Sequence, residues 1–113
     1  MLFSGLTLTF LREFFRGIWL TFPMLASLAV IITLLGLVVG RRESWPLFES
    51  FYWSFITGTT VGYGDLRPEK RSSRALAIVV ALLGLTFTGI LIAVAVHAAT
   101  LALTAHDAAA NLP

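Results

Sequence analysis

The residues with the means to do chemistry are few. The chain of 113 residues has no cysteine, which removes disulfides, iron–sulfur clusters, thiolate zinc sites and cysteine nucleophiles. His97 and His106 are its two histidines, too few for a multi-histidine metal centre within one chain. No paired carboxylates, nucleophile–base set or phosphate loop is present, so no enzyme is expected. What remains is a stretch of permissive main chain, Thr59-Thr60-Val61-Gly62-Tyr63-Gly64-Asp65, directly after an aromatic segment. Alternating glycines free a backbone to take conformations closed to other residues. In an ordinary loop such a stretch is a glycine turn, so its setting decides what it does.

That setting is a membrane. The AVILMFWYC set supplies 58% of the chain, and Asp, Glu, Lys and Arg only 12%, against about a quarter in a soluble domain. Mean hydropathy is +0.89, too apolar to cover a water-soluble domain with polar surface. A net charge of +2, with eight scattered Lys and Arg, gives no footprint for nucleic acid. Length allows one domain. Gly17 to Gly40 is a run of 24 uncharged residues. As a helix it reaches about 36 Å, enough for a hydrocarbon core of roughly 30 Å. Ala75 to Leu103 has no Asp, Glu, Lys or Arg in 29 residues, about 44 Å of helix. The first run exceeds the apolar core of a signal peptide and no A-x-A site follows. Two transmembrane helices are therefore predicted, with both termini on one side of the membrane.

The flanking elements follow from the same patterning. Residues 1–16 read as an interfacial helix, because Phe3, Leu6, Phe10, Leu11 and Phe14 recur at helical spacing beside Arg12, Glu13 and Arg16. Pro23 is expected to kink the first span or mark its true start. Residues 105–113 form a short tail. Between the spans, Trp45 to Gly58 is aromatic rather than loop-like. Ser44 is the expected N-cap, with Pro46 in the first turn. Phe48, Phe51, Tyr52 and Phe55 follow the i, i+3, i+4, i+7 rule. Such a helix is about 20 Å long, too short to cross a bilayer. It is predicted to be re-entrant and packed against protein.

In this context Thr60-Val61-Gly62-Tyr63-Gly64 resembles the selectivity-filter signature of potassium-channel pore domains, TVGYG, in the two-transmembrane prokaryotic type. The resemblance covers roughly Gly17 to Thr104, in the order outer helix (about 17–40), pore helix (about 45–58), filter (60–64) and inner helix (about 74–104). It implies an all-α membrane protein assembled as a homotetramer, with K+ as the permeant ion and no cofactor. Carbonyl rings from Thr60, Val61, Gly62 and Tyr63, with the Thr60 hydroxyl, would replace the hydration shell of the ion. A main chain with every carbonyl turned to one axis alternates in handedness, which Gly62 and Gly64 tolerate. Val61 and Tyr63 would point away from the axis and pack the filter against the pore helix. Tyr52 and Trp53 fall where such pores carry an aromatic cuff, and an aromatic at Tyr52 would bond Asp65. Ile56 stands where some bacterial members place a glutamate paired with that aspartate, so that pair is absent.

The resemblance also assigns the inner helix its gate. Gly84 and Gly89 are hinge candidates, with close helix packing as the alternative use of a glycine. Ala93, Val96, His97 and Thr100 would line the inner vestibule. His97 is the ionisable group inside a span, a proton sensor or simply a wetted neutral imidazole. The pore helices would aim negative dipole ends near Thr59 at a cation-holding cavity. The expected site is the cell membrane, multi-pass, with cytoplasmic termini and the filter opening outward. The distribution of basic residues opposes this: Arg12 and Arg16 lie at one end, whereas Arg41, Arg42, Arg67, Lys70, Arg71 and Arg74 lie at the filter end. At filter mouths of the family, arginines pair with acids, and Glu43, Glu49, Asp65 and Glu69 are available here. Two further readings stay open, a weakly selective cation channel of the same build and a non-conducting membrane adaptor. No voltage-sensing helix or ligand-binding domain is evident in this stretch. The stimulus is unassigned, and a regulatory subunit or a sensor domain elsewhere in a longer protein stays open.

Overall fold

The computed structural model describes residues 2–111, with side-chain surroundings from residue 5 onward. Its described elements are all helical: α1 (Leu2–Arg42), α2 (Leu47–Gly58) and α3 (Arg71–Ala110). With 41 and 40 residues, α1 and α3 contain about 60 Å of helix each, roughly twice a hydrocarbon core. Both are long and apolar enough to cross a membrane. Their large apolar side chains stay largely uncovered, among them Trp19, Leu20 and Phe22 on α1 and Leu82, Ile92 and Val96 on α3. Apolar surface on this scale needs lipid or further protein to cover it.

The chain divides into two compact units, residues 1–23 with 90–113, and residues 24–89. In the first, the small residues Ala98 and Ala102 of α3 are buried. A Cβ on Gly17 would stand 2.6 Å from Val94 Cγ1, so α1 and α3 come close at that level. Leu6 and Phe10 line a groove of ≈ 390 Å³ together with Ala99, Ala102 and Leu103. The boundary expected between an interfacial segment and an outer helix at residues 16 and 17 is not a helix break, because α1 runs through it. Pro23 lies inside α1 without ending it, although proline leaves the carbonyl four residues earlier without its usual donor. Phe3, part of the expected apolar stripe, lies outside the described side chains. α3 likewise continues past residue 104 through an alanine-rich stretch to Ala110, since alanine is the best helix former. Leu112 and Pro113 lie outside the described residues.

In the second unit, Ile32 and Val39 of α1, Trp53 of α2 and Val80 of α3 form the core. Leu25, Ile32, Gly36 and Val39 fall on one stripe of α1, and Ser73, Val80 and Gly84 on one stripe of α3. α2 fits against α1 through small residues. A Cβ on Gly36 would overlap Ser54, and one on Gly40 would overlap Ser50. Pairing 36 with 54 and 40 with 50 makes the two helices antiparallel where they touch. The serine hydroxyls are satisfied inside α2, Ser54 donating to the Ser50 carbonyl at 2.8 Å and Ser50 to the Pro46 carbonyl at 3.2 Å. They therefore present small, saturated surfaces to the glycines.

Ser44 is not the N-cap of α2. It has φ 60° and closes α1 instead, while Pro46 takes the N-cap position with no side-chain cap. The cause is the end of α1: Glu43 N–H bonds the Val39 carbonyl at 2.9 Å and Trp45 N–H the Gly40 carbonyl at 2.8 Å. This wrap-around termination requires a left-handed residue between its donors. Serine occupies the place usually held by glycine.

Candidate functional site

α2 ends at Gly58, and the main chain then turns through the Thr60–Gly64 stretch. Thr59 N–H bonds the Phe55 carbonyl at 2.9 Å and Thr60 N–H the Thr57 carbonyl at 3.2 Å. Gly62 N–H returns to the Ile56 carbonyl at 2.9 Å, tying the stretch to the last turn of α2. Thr60 has φ 67°, Gly62 φ 55° and Gly64 φ 83°, whereas Val61 and Tyr63 between them lie outside the left-handed region. The backbone thus alternates in hand over five residues. A Cβ on Gly62 or Gly64 would meet nothing within 4 Å, so both glycines are there for conformation rather than room. Thr60 takes its φ without that freedom, and a β-branched residue there is a true outlier.

Val61 and Tyr63 depart from expectation. Instead of packing on α2 they are 51% and 72% exposed. About half of Val61 and most of Tyr63 are left uncovered by the chain's own atoms. Tyr52 does reach the far side of the stretch, its hydroxyl donating to Asp65 Oδ2 at 2.9 Å. That bond holds the Tyr52 phenol pKa above its ordinary value of 10.0, with partial burial and the Asp65 charge adding to it. The phenol is therefore a fixed donor at neutral pH. Trp53 is 3% exposed and packs on Trp45, with ring centroids 5.8 Å apart.

The arginine–acid pairs expected at this end are not formed among the described residues, where ion pairs join only Arg12 and Arg16 to Glu13. The charged groups bond main chain instead. Glu43 Oε1 accepts the Glu69 N–H at 2.6 Å and Oε2 the Lys70 N–H at 3.4 Å. Lys70 Nζ donates to the Arg42 carbonyl at 2.8 Å, and Arg74 Nε to the Pro68 carbonyl at 3.1 Å. Helix ends expose unpaired amides and carbonyls, which outcompete mobile side chains for these charges.

On α3, Gly84 faces the C-terminal end of α2. A Cβ there would lie 2.5 Å from the Gly58 oxygen and 2.7 Å from its Cα. Close approach is therefore sufficient reason for this glycine, whereas Gly89 borders open space. One turn on from Gly84, Thr88 Oγ1 donates to the same Gly58 carbonyl at 3.4 Å. Ala93, Val96, His97 and Thr100 share one face of α3 by the i, i+3, i+4, i+7 rule, and all four are exposed. Thr100 bonds back to the Val96 carbonyl at 2.9 Å.

Two features were missed in the sequence. Gly36-x-x-x-Gly40 and Ser50-x-x-x-Ser54 are both small-xxx-small patterns, a readable sign of close helix approach in membranes. The exchange between Glu43 and Lys70 has no comparable signal, because 27 residues separate them.

Residues 1–100 match the model of a family described as ion channel. Among curated proteins, TWiK family of potassium channels protein 7 of Caenorhabditis elegans is 43% identical over 67 residues, 59% of this chain and 12% of that protein. The putative potassium channel protein YugO of Bacillus subtilis is 33% identical over 76 residues, 61% of this chain and 23% of its own length. The human voltage-gated potassium channel regulatory subunit KCNF1 is 35% identical over 100 residues, 83% of this chain and 19% of the human protein. The chain thus spans less than a quarter of the length of these relatives. No solved structure matches it. With its two long apolar helices, and matched over most of its length, this membrane protein belongs to the ion channel family.

Proposed function

We propose that the chain is the pore of a potassium-selective channel, in which four copies surround a common axis and Thr60 to Gly64 form the filter. The observation that carries this is the alternation in hand at Thr60, Gly62 and Gly64. An extended strand of alternating hand turns successive carbonyls to one side, and four such strands give stacked rings of oxygens for an unhydrated cation. The uncovered Val61 and Tyr63 support the assembly, since neighbouring copies of α2 would be the surface they pack against. So does the cost of leaving filter carbonyls unpaired in lipid, which a single chain cannot avoid. The potassium-channel relatives agree with the ion assigned. In this reading α2 is the re-entrant pore helix, Tyr52, Trp53 and Asp65 support the filter, and K+ is bound as cargo with no cofactor. Conduction is passive and single-file. Ala93, Val96, His97 and Thr100 face the vestibule, Gly89 is the freer of the two hinge positions, and the filter opens outward from a cell membrane with cytoplasmic termini.

The test is electrical. Purified protein reconstituted in bilayers under opposed potassium and sodium gradients is expected to reverse near the potassium equilibrium potential, and Gly62→Ala to abolish the current. Reversal near zero would instead mean a weakly selective cation pore. Liposomes that hold their potassium gradient would mean a non-conducting adaptor.

A further inference from the structure

The formal charge of +2 is unevenly placed along the chain. Arg12 and Arg16 are balanced in number by Glu13 and Asp107, so the surplus lies wholly in residues 41–74, around the Thr60–Gly64 stretch. There Arg41, Arg42, Arg67, Lys70, Arg71 and Arg74 stand against Glu43, Glu49, Asp65 and Glu69, six basic groups to four acidic ones. Lys70 and Arg74 are tied to main-chain carbonyls at 2.8 and 3.1 Å. Arg41, Arg42, Arg67 and Arg71 are exposed, and their side chains make no hydrogen bond or ion pair among the described residues. Of the acids, Glu43 is drawn onto the amides of Glu69 and Lys70, and Asp65 onto Tyr52. Two of the four carboxylates are thus held against the fold, while four guanidiniums are free to extend into water.

We propose that this surplus is an electrostatic brake on cation entry at the filter side, set by Arg41, Arg42, Arg67 and Arg71. K+ then passes less readily when it enters there than when it enters from the opposite side. This rests on the pore reading above. Cation pores use rings of Asp or Glu at such places, whereas four copies of this chain gather a net positive charge. Pairing between copies would rearrange these charges and leave their sum unchanged. A surface potential of one kT lowers the local cation concentration about threefold.

The charges divide by their distance from the exit. Arg67 is two residues past Asp65, at most about 7 Å of chain, inside the Debye length of about 10 Å at 0.1 M. Its neighbours Asp65, Glu69 and Lys70 cancel it in number, so the surplus itself belongs to Arg41, Arg42, Arg71 and Arg74 over Glu43 and Glu49. Arg41 and Arg42 end α1, and Arg71 and Arg74 begin α3. Their field reaches furthest in dilute salt, where the Debye length is about 30 Å at 0.01 M, and is screened near 1 M, where it is about 3 Å.

The experiment records single channels in zwitterionic bilayers with equal potassium on both sides. Ionic strength is raised from about 0.01 M to about 1 M with an impermeant organic salt. Wild type is expected to rectify about threefold at the low end, the smaller current being that of ions entering at the filter side, and to lose the asymmetry at the high end. Arg41→Gln with Arg42→Gln brings the filter side to zero net charge and is expected to abolish most of the rectification. Because the chain has no cysteine, Arg67→Cys offers a single thiol that can be charged after assembly. A thiol reagent carrying a trimethylammonium group is expected to keep the wild-type asymmetry, and one carrying a sulfonate to remove or reverse it. The bath from which the reagents act identifies the filter side, and must be the one from which the smaller current enters. Rectification that is absent from wild type at low ionic strength or unmoved by salt would overturn the brake. So would an unchanged asymmetry in the double variant, or one asymmetry for both reagents, and whichever variant assembles decides it. A wild type that carries no potassium current would instead overturn the pore reading itself.

Discussion

The two units of the chain hold together by different means. In residues 24–89, glycines seat against serines and against main chain, and side chains bond across elements: Tyr52 to Asp65, Glu43 to Glu69, Lys70 to Arg42 and Thr88 to Gly58. In residues 1–23 and 90–113, Thr21, Thr100 and Thr104 bond back within their own helices, and Arg12 and Arg16 pair with Glu13 on the same turn. Contact between helices there is through Ala98, Ala102 and the tip of Val94. Directional bonds and backbone contacts tolerate little displacement, whereas small apolar faces slide at low cost. The unit that contains Thr60–Gly64 is built for fixed geometry, whereas the side-chain bonds named above for described residues of the other stay within one helix.

Substitutions at glycine test the contrast most sharply. Gly84→Ala meets main chain at Gly58 that cannot move aside, and is expected to cost about 3 kcal/mol as overpacking, read as a fall in the melting temperature of the assembly in detergent. Were Gly84 used only as a hinge, Gly84→Ala would melt normally and alter gating alone. Gly36→Ala collides with the Ser54 side chain and is expected to cost about 2 kcal/mol. Ser54→Gly in the same chain should restore most of the melting temperature, because the two changes exchange one small residue for another across the same contact.

The contrast predicts a milder outcome in the other unit. Gly17→Ala meets the Val94 side chain rather than main chain, so the expected cost is lower, about 1 kcal/mol in the same melting assay. A cost equal to that of Gly84→Ala would show the first unit to be as rigid as the second. Tyr52→Phe removes the donor to Asp65 and is expected to shorten the conducting state in single-channel records without changing the melting curve. The sign of its pH counterpart is fixed: the bond is intact below pH 10.0, the ordinary phenol value, and is lost as pH rises through the higher value held in the fold. One effect is a gain. Ser44→Gly relieves a left-handed serine at the end of α1 and should stabilise by about 1 kcal/mol.

Much of this architecture was legible in one dimension. Two uncharged runs, each long enough to cross a bilayer, predict the two long helices, because apolar side chains and helical rise act locally. The aromatic segment after Pro46 carries helical spacing, and α2 occupies Leu47–Gly58. The glycines at 62 and 64 announce an unusual backbone, and both have positive φ. The ends of the helices were not legible. Nothing near residue 16 stops α1, and charged residues at the end of an apolar run mark where a span stops rather than where a helix does. Ser44 has the composition of a cap for α2, but the carbonyls ending α1 claim it first.

The sequence by itself determined where apolar length, aromatic spacing and glycine freedom fall, since each depends on neighbours within a turn or two. Only the tertiary structure decided which charge meets which helix end. Glu43 and Lys70 lie 27 residues apart, and their exchange exists because α2 runs back down α1 and residues 59–69 then return the chain to the helix end it left. It decided likewise that Gly84 makes room for Gly58, since a glycine in a helix looks the same in sequence whether it bends the helix or admits a neighbour.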